Sequence, residues 1–87
     1  MKAVVTVIGK DTVGILASTS AELAKANVNI IEVTQSVLQD FFAMIMLVDI
    51  SDSKLSIDEL KKDLQENVEG MEIHVMHEDI FNSMHRI

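Results

Sequence analysis

The amino-acid sequence predicts an α+β fold of the ferredoxin-like βαββαβ kind: a four-stranded antiparallel sheet, two helices on one face, and a short C-terminal helix. Three observations predict it. Runs rich in Val, Ile and Thr alternate with helically spaced segments in the order strand, helix, strand, strand, helix, strand. Helix ends are marked by capping residues and by Gly, and no Pro interrupts any segment. None of the 87 residues forms a stretch that reads as a linker, so residues 1–87 are expected to make a single domain.

Each element has its own justification. Met1–Gly9 is rich in Val, Ile and Thr and ends on a Gly, which reads as a strand. Gly14–Ala26 carries Ile15, Leu16, Thr19, Leu23 and Ala26 at helical spacing, with Asp11 or Thr12 expected at the N-cap and Asn27 at the C-terminal end. Val28–Leu38 is long and β-branched, Gln39 and Asp40 make a tight turn, and Phe41–Ile50 is almost wholly apolar. Ser56 and Glu59 form a capping box before a helix whose apolar face is Ile57, Leu60, Leu64 and Val68; Leu55 and Leu60 make a hydrophobic staple and Gly70 a stop. Met71–His77 alternates as a strand, with Ile73 and Val75 on one face and Glu72, His74 and Met76 on the other. Asp79–Ile87 predicts a short helix with Ile80, Met84 and Ile87 aligned.

The predicted spatial strand order 4-1-3-2 places residues 28–38 at an edge, where Glu32 is the lone charge and neither Pro nor Lys guards against pairing. In the next strand Phe42, Met44, Met46 and Val48 share one face, and Phe41, Ala43, Ile45 and Leu47 the other. Two helices cover one face of a sheet, so an apolar second face calls for a further cover. A second copy of the chain is the expected one, as a homodimer or higher homo-oligomer. The Met residues read as core or interface filling.

Composition excludes several function classes. Fourteen acids against seven Lys and Arg give a net charge of −7, which disfavours a nucleic-acid partner. Ten of the fourteen lie from Asp49 onward, as the solvated face of the second helix explains, with docking of a basic partner as a second reading. The absence of Cys removes disulfides and thiolate chemistry. The longest apolar run, residues 41–48, is about half a membrane-spanning helix, so no membrane partner is expected. No leader or cleavage site precedes the first strand, which points to a cytoplasmic location. His74 and His77 point to opposite faces of a strand, and His85 has no partners to complete a tetrahedral set, so neither a metal nor a cofactor is expected. The hydroxyls of Ser18, Thr19 and Ser20 lack an adjacent base, and residues 9–14 lack the phosphate-loop spacings; no enzyme activity is read.

At the first strand–helix junction the sequence reads Gly9-Lys10-Asp11-Thr12-Val13-Gly14-Ile15, and Asn29-Ile30 opens the second strand. On a βαββαβ frame, this pairing resembles the ACT domain family from Met1 to Val75, and is most similar to stand-alone members and to domains of the glycine-cleavage-system regulator type. The resemblance implies amino-acid binding at a dimer interface, with the event passed to an enzyme or partner. Asp11 stands where many members carry Asn, and Val13 where many carry Pro.

The residues give that site a physical basis of their own. A helix N-terminus offers unpaired N–H groups to a carboxylate, and Gly14 permits close approach to the backbone. Asp11 can hold an ammonium group, and Asn29 supplies a donor and an acceptor. The expected ligand set is Gly9, Lys10, Asp11, Thr12, Val13, Gly14, Asn29 and Ile30, with Thr34 and Gln35 joining if a partner's edge strand closes the cleft. The same residues also read as a helix cap, a packing glycine and a turn. A ligand-free module that binds an unidentified protein through its open sheet face is the alternative function.

Overall fold

The computed structural model describes residues 1–10, 14–68 and 70–84. The element order is β1 (Lys2–Lys10), α1 (Ile15–Lys25), β2 (Asn29–Leu38), β3 (Phe41–Asp49), α2 (Ile57–Asn67), β4 (Met71–His77) and α3 (Glu78–Met84). The strands form one antiparallel sheet in the order β2-β3-β1-β4, the expected topology.

The core lies between the inner sheet face and the helices α1 and α2. Val5, Val7, Phe42, Met44, Met46, Val48, Ile73 and Val75 supply the sheet side, and Ile15, Leu23, Leu60, Leu64 and Val68 the helical side. Met44 and Met46 are fully buried there, which assigns both to core filling. Leu16, expected on the buried stripe, is 39% exposed; the α1 side chains buried are Ile15, Thr19 and Leu23, a narrower stripe.

Helix ends follow their sequence signals at three of four places. The capping box is present in both directions: the Glu59 N–H donates to Ser56 Oγ at 3.2 Å, and the Ser56 N–H to Glu59 Oε1 at 2.9 Å. Gly70 takes φ 76°. At the end of α1, Asn27 adopts φ 62° while its N–H donates to the Ala24 carbonyl and the Val28 N–H to that of Leu23. That pair of bonds is a Schellman motif, with Val28 and Leu23 both buried. The start of α1 differs from expectation. Its N-cap is Gly14, at φ 87° and without a side-chain hydrogen bond, so neither Asp11 nor Thr12 occupies that position; both lie outside the described residues.

Two features were not anticipated. β2 carries a bulge: Ile30 pairs with Val48 and Glu32 with Leu47, which leaves Ile31 as the extra residue. The bulge reverses the alternation, so Ile30 packs on the core while Val33, Gln35 and Val37 take the inner face beyond it. Second, α3 lies over the outer face of the sheet. Val4, on that face, is buried to 4% beside α3, yet α3 buries none of its own side chains: Ile80 is 52% and Met84 65% exposed. The outer face expected to await another chain is thus partly covered by the C-terminal helix.

Candidate functional site: the β1–α1 junction and the β2 edge

β1 delivers the chain to the junction at the end of the sheet where Gly9 pairs with Phe42 and Met71, and Lys10 with Phe41. Gly9 is there for packing. A Cβ at this position would strike the Met71 Sδ and stand 2.9 Å from the Gly70 carbonyl oxygen. Gly14 serves differently: no described residue lies within 4 Å of where its Cβ would be, and its need is the left-handed φ. Asp11, Thr12 and Val13 lie outside the described residues.

Among the described residues, no side chain caps the start of α1. Gly14 brings no capping side chain, the first turn holds no acidic residue, and Lys25 sits in the last turn beside Glu22 at 3.4 Å. The leading N–H groups of a helix have no intrahelical acceptor, and the macrodipole adds partial positive charge. α2 contrasts sharply: Asp58, Glu59 and the Ser56 hydroxyl already occupy its start.

Asn29 and Ile30 lie at the other end of the sheet. Asn29 pairs with Asp49, seven residues along β3 from Phe42, which is about 23 Å at strand rise. Asn29 is exposed, whereas Ile30 packs on the core. Beside Asn29, the Asp49 carboxyl is held below its ordinary value by hydrogen bonds from the Ser51 hydroxyl and N–H, with the N-terminal ammonium at 3.7 Å. Within one chain, then, the junction and the Asn29 pair do not meet.

What separates them from solvent is equally uneven. Every side chain from Ile31 to Val37 is exposed, on both faces of β2. α1, at eleven residues and about 16 Å, is too short to cover a ten-residue strand of about 33 Å, and Val37 keeps 57% exposure. Thr34 borders a small outer-face cavity, and Gln35 lies on the inner side opposite Met44. A larger cavity, about 640 Å³, lies elsewhere, between the start of α2 and the end of β4, with Ser56, His77 and Ile80 among its walls. His74 Nε2 lies 3.2 Å from Glu72 Oε1. Among the described residues, no three His, Asp or Glu side chains converge.

A family model described as the ACT domain matches residues 2–78. A UPF0237 protein of Clostridium acetobutylicum is 47% identical across the whole of both chains, and one of Methanocaldococcus jannaschii is 49% identical over 99% of this chain and 98% of its own. Among solved structures, an ACT domain protein from Streptococcus pneumoniae superposes with a TM-score of 0.73 at 34% identity, covering 93% of each chain. The regulatory subunit of aspartate kinase from Thermus thermophilus shares the fold, with a TM-score of 0.62 at 24% identity over 85% of this chain and 49% of that one. With a family model spanning most of its length and relatives matched end to end, the chain belongs to the ACT domain family, whose members are typically small-molecule regulatory domains.

Proposed function

We propose that the chain acts as a homodimeric, non-catalytic regulatory domain of the cytoplasm that binds a free amino acid between subunits, at the β1–α1 junction. The observation that carries this reading is β2. It is a ten-residue edge with both faces exposed from Ile31 to Val37, and Glu32 is the lone charge on it. Such an edge invites a second strand. Pairing two β2 strands antiparallel about a two-fold axis brings the Asn29 end of one chain to the Leu38 end of the other. That is the end at which the second chain presents Gly9–Gly14. The two halves of the constellation, about 23 Å apart in one chain, then share one end of the joined sheet. The start of α1, to which Gly14 brings no capping side chain, suits the ligand carboxylate, and Asp11 its ammonium group.

The alternative, a protein-interaction module without a ligand, draws on Ile8, Phe41 and Ile45, which keep 40%, 61% and 40% exposure on the outer face. A thermal-shift screen against the twenty free amino acids, with oligomer mass measured in parallel, separates the two. A ligand at a hundred times its dissociation constant adds about 2.7 kcal/mol. A shift selective for one or two amino acids, lost in Asp11→Ala, is the expected result. A dimer that no amino acid stabilises would favour the interaction module.

A further inference from the structure

Between α3 and the outer face of the sheet lies a cavity of about 330 Å³; it borders the β1–α1 junction, since Ile8 precedes Gly9, but it opens beneath α3 and does not depend on the junction reading. Ile8, Ile45 and Met76 form its floor, and Phe81 and Met84 of α3 its wall. Among the described residues, no Asp, Glu, Lys or Arg lines it. Its hydrogen-bonding side chains are Thr6 and His74, cross-strand partners in the β1–β4 pairing that emerge on the same face within about 5 Å of each other.

We propose that this cavity is a second ligand site, and that it takes an uncharged aromatic molecule with one hydrogen-bonding group, of the indole or phenol class. The lining decides the charge. A charged ligand would leave water for a cleft with no fixed charge among its described lining residues, Glu72 standing only beside His74 at its edge, whereas a neutral ring loses little. The walls decide the shape. Phe81 offers a ring for edge or offset packing, and the thioethers of Met76 and Met84 adapt to a flat ligand and make sulfur–aromatic contacts. Thr6 and His74 orient it, with Glu72 at 3.2 Å from the imidazole. The volume is at the lower end of small-molecule sites, which suits a molecule of one or two rings. A second copy is the poorer occupant, because a flat sheet approaching this face would meet α3 first. Since α3 buries no side chain of its own, a ligand beneath it would also tie that helix to the sheet.

The test uses indole itself. The chain has no Trp and no Tyr, so indole emission is read against a dark protein. A saturable blue shift is expected, with NMR amide and methyl shifts centred on Thr6, Ile8, Ile45, His74, Met76 and α3 and not on Gly14 and the start of α1. Ala43→Phe fills the cavity and Met84→Ala opens its wall at an exposed position; each is expected to weaken binding roughly tenfold or more with the circular dichroism unchanged. Indole emission that stays at its value in water would overturn the proposal. So would NMR shifts at the β1–α1 junction instead, or full affinity in folded Met84→Ala and Ala43→Phe.

Discussion

Thr19 packs on the inner side of α1 in line with Ile15 and Leu23, fully buried, and its Oγ1 finds no hydrogen-bond partner among the described residues. A buried hydroxyl left unpaired costs about 1–3 kcal/mol, and Val has the same branched shape and a similar helix propensity. Thr19→Val is therefore expected to raise stability by about 1 kcal/mol in chemical denaturation. The helical spacing exposed Thr19's position in the sequence; its missing partner is visible only once the facing sheet is in place. The two junction glycines read alike in sequence and differ in the fold. Gly9→Ala drives a Cβ against the Gly70 carbonyl, which is backbone and does not yield, so a loss of about 1–3 kcal/mol is expected. Gly14→Ala meets no described residue and bears the left-handed strain of about 1–2 kcal/mol.

α2 shows how pH acts on one element. Glu59 accepts the Ser56 N–H and hydroxyl, which holds its carboxyl below the ordinary value. That contribution is present above the unfolded-state pKa and is lost as pH falls through the lower folded-state value. Asp63 runs the other way: burial first, then the neighbouring Glu22 carboxylate, push it up. Its ionised form is the disfavoured one, so it subtracts stability as pH rises through the ordinary range toward its raised folded value. Asp63→Asn is accordingly expected to raise the melting temperature at neutral pH, with the gain vanishing in acid where Asp63 is already protonated. The capping box and the Asn27 end of α1 were legible because each rests on a few adjacent residues. The bulge at Ile31 was not, since Ile30 and Ile31 both suit an inward position and only the pairing with Val48 and Leu47 decides between them. The C-terminal helix was legible as an element, but its resting place on the outer face depends on Phe81 meeting strands far earlier in the chain.

At the scale of the molecule, strand order followed from element order, and the exposed β2 edge followed from its place in that order. The separation of Asn29 from the junction was also implicit there: β1 and β2 run parallel on either side of β3, so the end of one and the start of the other fall at opposite ends of the sheet. A motif reading hides this, because the two segments are near neighbours in sequence. The consequence is that Gly9–Gly14 and Asn29 belong to one site only if two chains build it. Mixing Asp11→Ala with Asn29→Ala chains, and measuring binding of the amino acid found by thermal shift, tests this most directly. Each variant alone is expected to bind none. A mixed dimer keeps one site in which Asp11 of one chain meets Asn29 of the other, so an equal mixture should recover about a quarter of the parent's capacity. A mixture that stays as inactive as its components, while mass measurement confirms that mixed dimers have formed, would contradict the shared site.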